Sequence, residues 1–248
     1  MSKTFPWLLA VLMSLAALPA AAADADEYAN IHTVAVASGV GDAYVLYNKG
    51  LTIFDTTKEE VPIADWGIDQ WLEDSLKQAL SPRFVVKTAS VDRALLARCD
   101  DLDQCLAALP RRQDLDAYVI AIKREIMGPG GSEYYLRGLG QLHSGGPFGL
   151  HFEEIYAAYE IVVVDARTGR YIDSGSARMP GGSLFSTNEP IVGDLPASVW
   201  PGTAAQMSAD QKALAKETVT RLVRDSFQHG LENANLTGLA SPAQSVPR

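Results

Sequence analysis

A single apolar run in the second half of the chain constrains the fold more than any other feature. Ile155–Val164 is rich in isoleucine, valine and tyrosine, and the next residues read Asp165-Ala-Arg-Thr-Gly169. A β-branched run, a short glycine-containing turn and a second extended segment are typical of a β-hairpin. Ile161–Val164 is apolar at every position, as expected of a strand covered on both faces. We therefore predict a central hairpin whose second strand, Arg170–Met179, lies nearer the edge of the sheet.

The remaining segments give a mixed pattern of strands and helices. Apolar or alternating runs predict strands at Ile31–Ser38, Tyr44–Tyr47, Leu51–Phe54, Phe84–Thr88 and Ala117–Ile126. Helical spacing and capping residues predict helices at Asp65–Leu80, Ser90–Leu96, Leu102–Leu109 and Ser208–Asn235. Helices and strands alternate only in the first half of the chain. We therefore predict an α/β (α+β) protein with a single mixed β-sheet and flanking helices, as one domain over residues 28–236.

Two long irregular loops interrupt this pattern. Residues 127–150 are rich in glycine, and residues 180–206 contain four prolines. Long loops in compact domains are often functional or disordered. We interpret residues 127–150 as a mobile excursion with a short strand at Tyr134–Leu139. The aromatic side chains of the two loops either form a contact surface or fold into the core of the domain; they are Tyr134, Tyr135, Phe148, Phe185 and Trp200.

The N-terminus has the composition of a secretory signal peptide. Lys3 precedes an apolar core at Trp7–Leu18, and Pro19 is followed by the small residues Ala20–Ala23. The alternative is an uncleaved membrane anchor, but the apolar stretch is short for a bilayer span and ends in alanines rather than basic residues. We therefore expect residues 1–23 to be removed and the protein to be periplasmic or secreted. At the other end, we expect residues 237–248 to be disordered.

The acidic composition excludes some classes of partner. The formal net charge is −9 at pH 7. Phosphate backbones and anionic lipids repel such a field, so we expect no nucleic-acid partner. No stretch after the leader approaches 18 apolar residues. We therefore expect no membrane span after signal cleavage.

The two cysteines, Cys99 and Cys105, stand six positions apart. On one continuous helix they would be about 9 Å apart along the axis and on different faces, outside disulfide reach. The segment Asp100–Asp103 offers a break, in which Asp100 or Asp101 caps a new helix. In an oxidising compartment we expect a Cys99–Cys105 disulfide, and the alternative is two free buried thiols.

No catalytic or cofactor-binding motif stands out. Two Gly-x-Gly turns, at residues 39–41 and 138–140, lack the third glycine of a dinucleotide fingerprint and are better explained as turns. The sequence contains no P-loop, nucleophile elbow or H-E-x-x-H motif, so we predict no cofactor. One cluster remains as a candidate metal site, formed by His143, His151, Glu153 and Glu154. The alternative is ordinary solvation of polar residues in a glycine-rich loop.

The order of elements resembles that of periplasmic α/β modules. Thr33–Ser38, the helix Trp66–Leu80, Phe84–Lys87 and the strand that ends in Asp165–Gly169 are similar to elements of the CsgG curli-secretion protein, the penicillin-binding-protein activator LpoB and the amino-terminal domain of TolB. The chain more closely resembles uncharacterised exported proteobacterial proteins with a Gly-Asp turn after the first strand and a Trp-Gly-Ile/Leu-Asp helix start, here at residues 41–42 and 66–69. It lacks the lipid-attachment cysteine of CsgG and LpoB and the propeller of TolB. Channel formation, synthase activation and propeller functions are therefore not implied.

Two functions from different classes follow. The first is that of a non-enzymatic exported protein that binds another envelope protein through its aromatic loops, because aromatic side chains dominate interface energetics. The second is that of a metal-dependent hydrolase that uses the His143, His151, Glu153 and Glu154 cluster. The sequence does not indicate an oligomeric state.

Overall fold

One long strand, β8 (His151–Asp165), runs through the centre of the protein. The computed structural model describes residues 28–50, 53–88, 90–99, 101–127, 135–145, 151–180, 188–193 and 195–237, except for the side chains of Ile53, Ala108, His151 and Phe152. The described residues from Ile31 onward belong to one structural unit. The other strands are β1 (Thr33–Ser38), β2 (Ala43–Lys49), β3 (Thr57–Pro62), β4 (Val85–Lys87), β5 (Ala117–Lys123), β6 (Glu125–Met127), β7 (Tyr135–Gly145), β9 (Tyr171–Ser176) and β10 (Ile191–Val192). The helices are α1 (Ile68–Leu80), α2 (Arg93–Arg98), α3 (Leu102–Ala108) and α4 (Ala209–Asn233).

The sheet has two halves that share β8. Residues 159–165 of β8 pair with β5 on one side and β9 on the other, and β1 and then β4 extend the sheet beyond β5. Residues 151–158 pair with β7 on one side and β10 on the other, and β2 and then β3 extend the sheet beyond β7. We call these the β5 half and the β7 half. Parallel and antiparallel pairs occur in both, so the predicted mixed sheet with flanking helices is confirmed.

The β5 half buries apolar side chains on both faces. On one face, Ile120 packs in a cluster with Leu96 of α2 and Leu106 of α3. On the other face α4 crosses β8 and β9, and the hydroxyl of Tyr159 donates a hydrogen bond to the carbonyl of Val223 at 2.8 Å. Apolar burial of this kind contributes roughly 25 cal/mol per Å² and dominates the stability of small domains. The strand β9 has β8 as a neighbour in the described sheet, which agrees with its predicted position near the edge.

A single carboxylate holds the turn at which the chain passes from the β5 half to the β7 half. Because β1 pairs with β5 and β2 with β7, residues 39–42 connect the two halves. Oδ1 of Asp69 accepts hydrogen bonds from the Ser38 hydroxyl at 2.6 Å and from the N–H groups of Val40 and Gly41 at 2.9 Å. The Gly-Asp turn and the Trp-Gly-Ile-Asp helix start are therefore in direct contact.

Several predicted element boundaries are wrong for local reasons. The first helix begins at Ile68 rather than Asp65, because residues 64–66 form a 3-10 turn that ends at Gly67 with a left-handed φ of 74°. The second helix follows Asp92, whose side chain caps it, rather than Ser90. The strand predicted at residues 51–54 is instead a 3-10 turn over the described residues 53–55, and the antiparallel partner of β2 is β3.

The glycine-rich segment contains a long central strand, where we predicted a mobile excursion with only a short strand at Tyr134–Leu139. β7 has 11 residues and lies between β2 and β8. Gly140 is directly opposite Tyr156, and a Cβ at Gly140 would overlap the Tyr156 hydroxyl oxygen. The glycine thus leaves room for the tyrosine ring to lie across the strand. Residues 128–134 and 146–150 of this segment lie outside the described residues.

The predicted leader and most of the predicted C-terminal tail also lie outside the described residues, which begin at 28 and end at 237. Among the helices of the described part, none is both long and apolar enough to cross a bilayer.

Candidate functional site

The two cysteines form a disulfide at the junction of two short helices. The Cα atoms of Cys99 and Cys105 are 5.2 Å apart. α2 ends before Cys99, and Asp101 caps α3 by accepting a hydrogen bond from the N–H of Gln104 at 2.8 Å. The break between the helices brings the two sulfur atoms together. The predicted disulfide is therefore confirmed.

A histidine and a buried glutamate meet in the β7 half. His143 of β7 and Glu153 of β8 are directly opposite in the strand register, so their side chains share a face of the sheet. Nδ1 of His143 lies within hydrogen-bond distance of Oε1 of Glu153. Glu153 is 2% exposed. A carboxylate at that depth is costly unless it is paired, so the imidazole contact stabilises its position.

A tryptophan covers this pair. The rings of Trp200 and His143 are stacked, with centroids 5.1 Å apart and an angle of 17° between the planes. Trp200 belongs to residues 195–207, which we call the strap. The N–H of Leu195 donates to the carbonyl of Glu153, and the N–H of Ala204 donates to the Glu59 carboxylate on β3 at 2.7 Å. The strap is therefore fastened to both β8 and the outer strand of the β7 half.

The N-terminus of α4 fixes the middle of the strap. The Gln211 side chain donates from Nε2 to the carbonyls of Ser198 at 3.0 Å and Trp200 at 3.3 Å. Gln211 also forms a capping box with Ser208, which begins the helix predicted at Ser208–Asn235. The capping glutamine thus links the position of Trp200 to the start of the long helix.

A second polar pair is buried in the same half. The hydroxyl of Tyr44 donates to Oε1 of Gln141 at 3.3 Å, and both residues are fully buried. Burial raises the pKa of Tyr44 well above its usual value, with a further contribution from Tyr156, so the hydroxyl remains a hydrogen-bond donor. Nε2 of Gln141 has no hydrogen-bond acceptor within the described part of the chain.

Of the four predicted metal ligands, His143 and Glu153 come together. Glu154 follows Glu153 in the same strand, so its side chain points to the opposite face of the sheet, where it lies next to Gly193. The backbone of His151 pairs with Gly145, but its side chain lies outside the described part. Among the described residues, no group of three His, Cys, Asp or Glu side chains is arranged to hold a metal ion.

The predicted aromatic contact residues divide between exposed and covered positions. Tyr135 is 60% exposed, whereas Trp200 packs on His143. Tyr134, Phe148 and Phe185 lie outside the described residues. Tyr135 is directly opposite Met127, which is 54% exposed.

Tyr135 and Met127 lie on a two-stranded ribbon, formed by residues 125–127 of β6 and 135–137 of β7. Ile126 and Leu136, the middle pair of this β6–β7 ribbon, are buried in a cluster with Leu142 and Tyr156. One face of the ribbon is therefore anchored in the core. The other face carries exposed apolar side chains.

A cavity of about 230 Å³ opens beside the ribbon, between α3 and the centre of the sheet. Its lining consists of Asp101, Leu102, Cys105, Ile122, Lys123, Arg124, Glu125, Arg137 and Glu160. Sequence reasoning missed this cavity. The available signal was Glu160, a carboxylate within the otherwise apolar run of the central strand.

Comparison with known proteins gives no further assignment. No protein-family model matches the chain, and a search of curated proteins finds no match. The resemblance to periplasmic α/β modules stays a prediction.

Proposed function

We propose that this is an exported, non-enzymatic protein that acts by binding another protein of the cell envelope. The observation that carries the proposal is the exposed pair Met127 and Tyr135 on the β6–β7 ribbon. Methionine and aromatic side chains are enriched at protein interfaces, and tyrosine is frequent among the residues that contribute most binding energy.

The anchoring of the ribbon supports this role. Ile126 and Leu136 are buried directly behind the exposed pair and hold both strands against the core. Side chains that are presented by a fixed backbone lose less conformational freedom on binding than side chains on a flexible loop. The ribbon is therefore a preorganised contact surface.

The compartment is proposed on two grounds. Residues 1–23 have the composition of a cleavable leader, and the Cys99–Cys105 disulfide suits an oxidising compartment. We propose that the protein is periplasmic or secreted and that it belongs with the exported proteobacterial proteins it resembles. N-terminal sequencing of the protein recovered from the periplasm or the medium tests cleavage before Asp24.

Site-specific photo-crosslinking tests the contact surface. With p-benzoylphenylalanine in place of Tyr135, illumination of intact cells should link the protein to a discrete partner. The Met127→Ser substitution in the same chain should reduce that product. The matched control places the photoreactive residue at Tyr171, a tyrosine of β9 that is 45% exposed. Equal products at both positions, or no product at position 135, would argue against the ribbon as the binding surface.

The contact between His143 and Glu153 motivates the alternative, a metal-dependent hydrolase. Imidazole nitrogen and carboxylate oxygen are both common zinc ligands in proteins. If the site binds zinc, titration of metal-free protein should give a stoichiometric complex that His143→Gln weakens by at least about tenfold. Absence of zinc binding at micromolar concentration would eliminate this function.

A further inference from the structure

One carboxylate in the cavity beside the ribbon has no ionic partner of its own. Glu160 lies on β8 between the neighbouring strands β5 and β9, and its side chain is partly buried. Within the described residues, the structure gives this carboxylate neither a hydrogen bond nor an ion pair. Burial raises the pKa of Glu160, and the charge of Arg124 partly offsets the effect. The carboxylate therefore carries an electrostatic cost that an incoming cation would relieve.

The cations in the cavity wall are each bound to another group. Lys123 forms an ion pair with Asp42 and donates to the carbonyl of Ala97 at 3.1 Å. Its position at the end of α2 suits a positive charge because helix carbonyls are unsatisfied there.

The two arginines of the lining also have partners. Arg124 forms an ion pair with Glu189 and donates to the Ser176 hydroxyl at 2.7 Å. Arg137 donates to the carbonyl of Cys99.

The charge balance of the cavity and its immediate ion pairs is negative. The lining carries three cations and three carboxylates, and two of the cations, Lys123 and Arg124, are already paired with carboxylates outside the lining, Asp42 and Glu189. The excess of negative charge favours a positively charged group over an anion in this cavity.

The β6–β7 ribbon connects the cavity to the exposed apolar pair. Glu125 and Arg137 are directly opposite and line the cavity, and Met127 and Tyr135 form the next pair on the same face. Residues two positions apart in a strand are about 7 Å apart. A segment that runs along the ribbon can therefore place one residue over Glu125 and Arg137, which line the cavity together with Glu160, and another residue two positions away on the apolar pair.

We propose that the ribbon and the cavity together form a docking site for an extended basic-apolar peptide segment of the partner, in which a lysine or arginine binds beside Glu160 and an apolar residue two positions away packs on Met127 and Tyr135. The inference rests on the proposed function, because it names the chemistry of the partner at the same surface. Charge complementarity of this kind adds specificity to the apolar contact.

Selection from a library of random nine-residue peptides tests the site on the purified chain with its disulfide intact. Peptides selected on the wild-type protein should carry a lysine or arginine two positions from an aromatic or aliphatic residue. In the best selected peptide, replacing the basic residue by glutamine should weaken binding about tenfold, as measured by fluorescence anisotropy. The peptide substitution tests the contact without altering the protein.

Variants of the protein locate the contact. In Glu160→Gln, the basic peptide and its glutamine counterpart should bind within about twofold of each other. The matched control Glu60→Gln changes an exposed glutamate that lines the neighbouring cavity, and it should keep the tenfold preference. Thermal unfolding of each variant verifies its fold.

The outcomes separate the two proposals. Selected peptides that lose binding in Met127→Ser/Tyr135→Ser, but show no basic preference, would overturn the inference and leave the proposed function standing. Selection that yields no peptide dependent on Met127 and Tyr135 would overturn both. A basic preference that survives Glu160→Gln would overturn the role of the cavity.

Discussion

The β5 half and the β7 half belong to one sheet but are stabilised in different ways. In the β5 half, apolar side chains on both faces pack against helices, and a disulfide joins two of those helices. In the β7 half, the buried residues include Gln141, Ser144, Glu153 and Glu154, and the strap covers His143. Because burying a polar group costs solvation free energy that its partners only partly return, we expect the β7 half to contribute less to the free energy of unfolding. We therefore expect stability to be concentrated in the β5 half, whereas the exposed pair Met127 and Tyr135 extends from β7 and from the end of β5.

The largest difference is expected from truncating one buried apolar side chain in each half. Ile120 belongs to the cluster that spans α2, α3 and three strands, whereas Leu142 belongs to a smaller cluster. Ile120→Ala should lower the free energy of unfolding by about 4 kcal/mol, and Leu142→Ala by about 2 kcal/mol, because the smaller cluster can relax around the lost atoms. Urea denaturation measures both values. Equal losses would contradict the proposed division of stability.

The β5 half is also the part of the fold that the sequence predicts well. Its sequence signals each lie within a short stretch of chain. They are the apolar run of β8, the helical spacing of α1 and α4, and the aspartates between the cysteines. The β7 half depends on contacts between distant residues. Gly140 breaks the strand pattern of β7, yet Tyr156 fills the space beside it across the register. Residue propensities alone predict that a glycine interrupts a strand, because they do not include the side chain that packs against it from a neighbouring strand.

For the candidate site too, the sequence predicts individual residues but not the contacts between distant ones. The sequence selects His143, Glu153 and Trp200, but assigns them to rival hypotheses, whereas the structure places them in contact. Their proximity depends on the β7–β8 register and on the path of the strap, and neither is encoded in local spacing. The unpaired position of Glu160 likewise emerges only when β5 and β9 are placed on either side of β8.

The next largest effect is expected from the disulfide, which acts within the β5 half. Replacing Cys99 and Cys105 together by alanine should lower the free energy of unfolding by about 2 kcal/mol, because a short closed loop restricts the unfolded chain. The melting temperature should fall by about 4–8 °C for a domain of this size. Calorimetry measures the shift, and hydrogen exchange should accelerate in α2 and α3 but not in β7. Free thiols in the denatured, unreduced wild-type protein would contradict the bond.

A smaller effect is expected from Asp116, which joins three parts of the β5 half. Its carboxylate accepts hydrogen bonds from the N–H groups of His32 at 3.0 Å and Thr33 at 2.8 Å and from the Thr33 hydroxyl, and it also binds Arg167. Burial favours the neutral acid, but these donors and the guanidinium outweigh it and hold the pKa of Asp116 below its usual value. Asp116→Asn should therefore cost about 1–2 kcal/mol at neutral pH.

The pH dependence of stability tests this assignment. Because the folded-state pKa of Asp116 is lowered, its contribution is fully present above the unfolded value of about 3.9 and is lost as the pH falls through the folded value. The free energy of unfolding of the wild type should approach that of Asp116→Asn as the pH drops below 4. A constant difference between the two proteins from pH 7 to pH 3 would show that the carboxylate charge contributes nothing.

The smallest effect is expected where the β7 half is most polar, at the pair Tyr44 and Gln141. Tyr44→Phe leaves the Gln141 amide without its donor, and Gln141→Leu leaves the buried Tyr44 hydroxyl without its acceptor, so each should cost about 1 kcal/mol. The double variant removes both polar groups, together with the Gln141 amide nitrogen that has no acceptor in the described part. Its free energy of unfolding should therefore lie within about 0.5 kcal/mol of the wild-type value. Chemical denaturation of the four proteins should show that the effects of the two substitutions are not additive. A loss of free energy of unfolding in the double variant that equals or exceeds the sum of the two single losses would contradict this expectation. It would show that the polar pair stabilises the fold and that polar contacts strengthen the β7 half.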